Sequence, residues 1–214
     1  MARLTLVRIG ILGAGAMGTA HAAAYAGIPE ATVVGVFSRD PARARSAAAI
    51  CKAEPFSNAA GLVRNAGVDA IDVCLPSAVR RAFVVPALSA GKHVFCETPL
   101  ALRLDEAQQM LDAARRTGRL LQVGLLMRSL GAYEQVKATV SSGEHGRLLS
   151  VATWRLGSYL HADAPDHKAH YGDPSTELMT FDFDFIRWVM GPPMRLSASA
   201  VRTRTAFRAR SRPC

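Results

Sequence analysis

The chain has 214 residues, half of them hydrophobic, and its 26 lysines and arginines against 17 aspartates and glutamates give a net charge of +9. That length holds one full domain and part of a second, with apolar residues enough for a core. A membrane span is excluded, because no segment approaches the roughly 18 consecutive apolar residues one requires.

A secretory leader is not expected either, because the first apolar run already reads as a strand. Cys51, Cys74, Cys96 and Cys214 lie far apart with no Cys-x-x-Cys spacing. They suggest neither a zinc site nor a disulfide framework, and a reduced, cytoplasmic setting follows. The charge is carried by the tail: Arg195, Arg202, Arg204, Arg208, Arg210 and Arg212 stand there without an acid. Removing those six leaves +3 over the preceding residues, so no nucleic-acid partner is expected.

In chain order, the apolar run Val7, Ile9, Ile11 and Leu12 leads into Gly13-Ala14-Gly15-Ala16-Met17-Gly18, and a helical pattern follows over 17–25. This is a strand, a glycine turn and a helix. Residues 32–37 read as a second strand, and Pro41 opens an alanine-rich helix to about Lys52. Asn58 caps a shorter helix, 70–75 reads as a buried strand, 79–90 as a helix stopped by Gly91, and 93–96 as the next strand. Leu104, Ala107, Leu111 and Ala114 form a helical stripe closed by Gly118, and 120–123 completes the series. The repeated β-α-β order predicts an α/β fold, a doubly wound parallel Rossmann sheet with helices on both faces.

Past Gly124 the pattern changes. Residues 133–140 form a helix ended near Ser142-Gly143, and 148–159 is a long strand candidate. A polar loop runs over 161–173. Pro174 opens a helix with Leu178, Phe181, Phe185 and Trp188 on one face, and Gly191-Pro192-Pro193 stops it. Residues 195–202 are one more strand candidate. The resulting domains are 1–123 for dinucleotide binding, 124–202 as an incomplete α/β domain for substrate and oligomer contacts, and 203–214 as an unstructured basic tail.

The glycine turn carries the first functional reading. Gly13 permits the tight turn, Gly15 lets the backbone approach a pyrophosphate, and Gly18 lets the helix pack on the strand. The diphosphate then meets unpaired N–H groups at the helix start, those of Ala16 and Met17 among them, where the dipole favours negative charge. At the end of the second strand stand Ser38 and Arg39. An acid there suits the ribose of NAD, whereas serine and arginine suit a 2′-phosphate, so NADP is preferred over NAD. The alternative leaves Arg39 solvated and Asp40 capping the next helix.

A second stretch, Ala90-Gly91-Lys92-His93-Val94-Phe95-Cys96-Glu97-Thr98-Pro99-Leu100-Ala101, adds specificity. With the glycine turn, Cys74-Leu75-Pro76-Ser77 and Asp182-Phe183-Asp184, it resembles the Gfo/Idh/MocA family of oxidoreductases from about Arg8 to Gly191. The resemblance implies an N-terminal Rossmann domain, a C-terminal α/β domain whose open sheet lines the substrate site, and hydride transfer between nicotinamide and a sugar, polyol or related alcohol. It places Pro76, Glu97 and Pro99 beside the nicotinamide. It also implies a lysine where this chain has Thr98, an aspartate and a histidine where it has Glu177 and Phe181, and a histidine where it has Arg80. Glu177 keeps a carboxylate and is the candidate catalytic residue for substrate contact. Thr98 holds no charge and Phe181 no exchangeable proton.

A positioned acid or base contributes roughly 10²- to 10⁴-fold, so the alternative function is a catalytically silent nucleotide-binding protein or the remnant of a truncated gene. Lys92 cannot rescue catalysis, since it precedes the strand whose far end is Glu97. The loop offers His161, His167, Lys168, His170 and Tyr171, in a spacing that fits no metal motif; no metal is expected. Arg103 stands where the family commonly has a capping threonine, a loss of about 1 kcal/mol at that helix start. The sequence stops where the family continues with most of its C-terminal sheet. The tail is read as a shifted reading frame, and the unpaired edges predict a homo-oligomer.

Overall fold

The computed structural model describes residues 6–155 and 174–199. Six strands form one sheet: β1 (Val7–Leu12), β2 (Ala31–Phe37), β3 (Glu54–Phe56), β4 (Ala70–Val73), β5 (His93–Cys96) and β6 (Leu121–Val123). Their order is β3-β2-β1-β4-β5-β6, and every neighbouring pair is parallel. The crossovers are α1 (Ala16–Tyr25), α2 (Pro41–Cys51), α3 (Ala59–Arg64), α4 (Arg81–Ser89) and α5 (Leu104–Thr117). This is the doubly wound parallel Rossmann architecture expected, and β3 is the strand that the pattern had not announced, three residues being too short to show a period.

Alternation along β1 builds both cores. Ile9 and Ile11 join Val33, Val36, Ala22, Ala47 and Ala48 beneath α1 and α2. Leu12 faces the other way, with Leu62, Ile71, Val73, Val84, Leu88, Val94 and Met110 beneath α3, α4 and α5. Small residues on α1 and α2 let those helices lie close to the sheet. Asn58 caps α3 by accepting from the N–H groups of Ala60 (2.9 Å) and Gly61 (3.3 Å). Gly118 and Gly143 end their helices at φ of +64° and +68°, the left-handed conformation that a glycine adopts without strain.

The stripe expected on α5 is rotated. Met110 and Ala113 are the buried residues, while Leu104 is 86% exposed and Leu111 is exposed. Spacing by threes and fours admits two adjacent faces, and packing against α4 selects the one centred on Met110.

Beyond β6, α6 (Gly131–Ser142) packs against the last helix among the described residues. Residues 174–190 form two helices and not one: α7 (Pro174–Glu177) and α8 (Thr180–Met190), broken at Leu178 and Met179. On α8 the buried residues are Asp182, Phe185 and Val189, so Phe185 faces inward as expected while Phe181 and Trp188 are only half-buried. The strand expected over 148–159 is absent from 148–155, and that expected over 195–202 is absent from 195–199; the remainder of each lies outside the described residues. An extended segment without a neighbouring ladder has no partner for its N–H and C=O groups, so apolar β-branched residues alone do not make it a strand. The loop 161–173 and the tail 203–214 also lie outside the described residues. Among the described residues no helix is long and apolar enough to cross a membrane.

Candidate nucleotide and substrate site

The strand order reverses between β2 and β4 on either side of β1, and ligands of such sheets bind beyond the strands' carboxyl ends at that point. The glycine turn lies there. Gly13 has φ of +107°, which side chains other than glycine rarely adopt, and its N–H donates to the Phe37 carbonyl at 2.8 Å. A Cβ on Gly18 would stand 1.8 Å from the Gly13 carbonyl oxygen, so only glycine lets α1 approach the turn. A Cβ on Gly15 would meet nothing within 4 Å. The first glycine serves the turn and the third serves helix packing. The second faces open space, which fits a diphosphate brought against an α1 start that no side chain caps.

A cleft of about 290 Å³ opens from this turn. Gly15, Ala16 and Met17 form one wall, Cys74, Leu75 and Ser77 a second, and Glu97, Thr98 and Pro99 a third, with Arg80 and Glu177 completing it. The structure thus brings Thr98 and Glu177, 79 positions apart by number, to one cavity. Phe181 is not among the lining residues; its ring lies under the Arg155 guanidinium, 5.6 Å from Cζ to the ring centre.

Two cations hold the Glu97-Thr98-Pro99 turn, and neither was legible in the sequence. Arg80, only 5% exposed, donates from Nε to the Leu75 carbonyl (2.8 Å) and from Nη1 to the carbonyls of Glu97 (2.5 Å) and Pro99. His21, on α1, lies between two carboxylates: Nδ1 is 2.8 Å from Asp72 Oδ2 and Nε2 is 3.1 Å from Glu97 Oε1. The hydrogen bond with Asp72, then those with Cys74 and Glu97, push its pKa up to about 12, so the ring is an imidazolium. Burial alone would raise the Glu97 carboxyl, but the hydrogen bond from His21 and its charge hold it below its ordinary value. The Thr98 N–H also donates to Glu97 Oε2 at 3.2 Å. Tyr25 donates its hydroxyl to Asp72 at 3.0 Å, and burial with the nearby carboxylates raises the phenol's pKa.

His21, Asp72 and Cys74 bring three potential ligand atoms within 4.8 Å of one another. Both ring nitrogens of His21 serve the carboxylates, however, and burial pushes the Cys74 thiol up to about 12. A thiol that resists ionisation is a poor metal ligand, and the cluster is satisfied as a charge pair that anchors Glu97.

The remaining candidates fall where the sheet puts them. Ser38 and Arg39 follow β2, with Arg39 exposed; Ser38 Oγ accepts from the Asp40 N–H at 3.2 Å. Asp40 caps α2, accepting from the N–H groups of Ala42 (2.8 Å) and Arg43 (3.4 Å). Pro76 lies between the two cleft residues Leu75 and Ser77. Lys92 is at the opposite edge of the sheet, where Nζ donates to the carbonyls of Asn65 (2.8 Å) and Val68 (2.6 Å). Arg103 begins α5 without a side-chain cap. In the Asp182-Phe183-Asp184 stretch each carboxylate is held by an arginine, Asp182 by Arg155 and Asp184 by Arg128 (2.6 Å).

The sheet order, the glycine turn and this cleft define the class: a Rossmann domain of the dinucleotide-binding type. A family model described as an oxidoreductase family with an NAD-binding Rossmann fold matches residues 7–125. The chain belongs to that family, Gfo/Idh/MocA. It is 31% identical over 211 residues to an inositol 2-dehydrogenase of Saccharopolyspora erythraea, covering 96% of this chain and 60% of that one. A scyllo-inositol dehydrogenase from Lactobacillus casei superimposes with a TM-score of 0.63 at 29% identity, over 67% of this chain and 43% of that one. KijD10, a 3-ketoreductase from Actinomadura kijaniata in complex with NADP and TDP-benzene, superimposes with a TM-score of 0.60 at 28% identity, over 64% of this chain and 42% of that one. The chain spans about half the length of the curated relatives it matches.

Proposed function

We propose that this chain is an oxidoreductase that moves a hydride between NADP and a sugar- or polyol-like alcohol or its carbonyl. The observation that carries the reading is the single cleft in which the glycine turn, the Glu97-Thr98-Pro99 turn and Glu177 meet. The bound nicotinamide supplies the hydride acceptor or donor. Oxidising a CH–OH group removes a hydride from carbon and a proton from oxygen, and Glu177 is the carboxylate placed to contact that hydroxyl. Glu97, fixed by His21 and Arg80, shapes the nicotinamide side. The inositol dehydrogenase relatives support a polyol-like substrate, and KijD10 supports the use of NADP.

The preference for NADP over NAD rests on the end of β2. Asp40 is turned into the α2 cap and paired with Arg43 at 3.4 Å, which leaves Ser38 and the exposed Arg39 to meet a 2′-phosphate. Residues 1–123 carry the nucleotide, and 124–202 contribute to the substrate side and to a homo-oligomer.

A second reading, a nucleotide-binding protein without turnover, is favoured by Thr98, which holds no charge, and by Phe181, which has no exchangeable proton. Calorimetry with NADP and NAD followed by a sugar and polyol screen separates the two. Binding with turnover supports the first and binding without turnover the second; no binding of either nucleotide refutes both. If the rest of the site is intact, Thr98→Lys raises turnover.

A further inference from the structure

Among the described residues, two buried side-chain oxygens lack any hydrogen-bond partner, Ser77 Oγ and Thr98 Oγ1. Both belong to residues lining the same cleft, and Ser77 is only 2% exposed. Buried polar groups are almost always paired, so an orphan calls for a cause. Two orphans on residues that line one cavity have a common one. The turns that carry them are tied together by Arg80, whose N–H donates to the Ser77 carbonyl (3.4 Å) while its guanidinium grips the carbonyls on either side of Thr98. The backbone of both turns is therefore held in place before any ligand arrives, and neither hydroxyl has a partner within it.

The ligand group they suit is neutral. A hydroxyl offers one donor and two acceptor positions, so a pair of them matches a group that both gives and takes hydrogen bonds, and offers a charged group no counter-ion. The cleft also contains Gly15 and Met17, so a dinucleotide whose diphosphate lies on the α1 start extends toward Ser77 and Thr98 with its nicotinamide end.

We propose that Ser77 and Thr98 form a two-hydroxyl subsite for the carboxamide of the nicotinamide ring, and that Thr98 thereby has a binding role of its own at a position where the charge of a lysine is missing. This rests on the nucleotide reading above. One hydroxyl donates to the amide carbonyl and the other accepts from the amide N–H.

The test uses the full chain with four nucleotides: NADP, NAD, 2′-phospho-ADP-ribose, which lacks the ring, and the 3-acetylpyridine analogue of NADP, which lacks the amide N–H. Ser77→Ala and Thr98→Val each weaken NADP by roughly 3- to 10-fold and leave 2′-phospho-ADP-ribose unchanged. The two variants together bind the acetylpyridine analogue and NADP nearly equally, whereas the parent chain prefers NADP. Unliganded, both variants melt no lower than the parent, because the group removed had no partner to lose. A lower melting temperature without ligand overturns the subsite, as does an equal loss toward 2′-phospho-ADP-ribose. Unchanged NADP affinity with a raised KM for a polyol assigns the hydroxyls to substrate and also overturns it. Failure of the parent chain to bind either NADP or NAD defeats the nucleotide reading itself, an outcome distinct from the others.

Discussion

The imidazole of His21 lies 2.8 Å from the carboxylate of Asp72, a residue 51 positions further along the chain and 1% exposed. The contact joins α1, whose start faces the cleft, to the central strand β4, and through Nε2 it extends to Glu97 at the end of β5. Removing one partner of a buried ion pair leaves an uncompensated charge, which costs on the order of 3 kcal/mol. His21→Leu is therefore expected to lower the free energy of unfolding in urea at neutral pH by about that amount. A loss below about 1 kcal/mol would mean that Asp72 is solvated by other means.

The same pair sets a pH dependence. Its folded pKa of about 12 lies above the ordinary 6.5, so its stabilisation is fully present below pH 6.5 and declines as pH rises through 12. Asp72→Asn removes the foremost cause of that shift and brings the ring's titration down toward neutrality. Imidazole NMR shifts of His21 should stay constant from pH 6 to 9 in the parent chain, a range set by the ordinary value, and move within it in the variant. A parent ring titrating near the ordinary value would contradict the geometry.

The Rossmann half was legible because its cues are local. Gly13, Gly15 and Gly18 sit within one turn, and β1 and β2 have the apolar character of strands buried on both faces. What failed was information spread along the chain. His21, Asp72 and Glu97 carry no spacing motif, since a parallel sheet brings together residues that are remote in sequence. In the sequence Arg80 is only a departure from the family pattern, yet it is the residue that clamps the Thr98 turn. Over 148–155 and 195–199, the described parts of the later strand candidates, no strand forms for a related reason: an extended segment needs a neighbour, and β propensity reports only that it would suit one.

Gly15 and Gly18 should respond in opposite ways to the same substitution. Gly18→Ala forces a methyl to 1.8 Å from a backbone oxygen that cannot give way, and overpacking costs about 1–3 kcal/mol against less than 1 kcal/mol gained in helix propensity. It should lower the melting temperature. Gly15→Ala has open space around it and an ordinary φ of −80°, so the fold should hold within about 1 kcal/mol. Its methyl stands where a diphosphate must approach, and nucleotide affinity should fall at least roughly tenfold, about 1.4 kcal/mol. Thermal melts and titrations on both variants check this; a stable Gly18→Ala or a tight-binding Gly15→Ala would refute the division of roles.

Arg80 joins three backbone carbonyls, those of Leu75, Glu97 and Pro99, of which Glu97 also accepts a weak hydrogen bond from the Cys96 thiol at 3.6 Å. Arg80→Met keeps much of the stem's volume, takes the side-chain donor from the Leu75 and Pro99 carbonyls and leaves Glu97 only the weak thiol donor; a buried acceptor left unpaired costs about 1–3 kcal/mol. The variant should be less stable than the parent, and Arg80→Lys should recover part of the loss, since one ammonium can reach some of the acceptors but cannot span them as the planar guanidinium does. Urea denaturation of both ranks them; equal stability of Arg80→Met and the parent would show that the turn is held without it.

Cofactor choice should reside in Ser38 and Arg39. Arg39 is exposed and Asp40 is committed to the α2 cap, so a 2′-phosphate meets a cation and a hydroxyl but no acid directed toward it. Charge-assisted bonds to phosphate contribute about 1.5–3 kcal/mol. Arg39→Ala should accordingly weaken NADP by roughly tenfold or more while changing NAD little. Ser38→Asp should go further and reverse the preference, because its carboxylate repels the phosphate and accepts from the ribose hydroxyls of NAD. Titration of both nucleotides against both variants decides the matter. An Arg39→Ala variant that loses NAD and NADP equally would show that the arginine supports the loop and reads no phosphate.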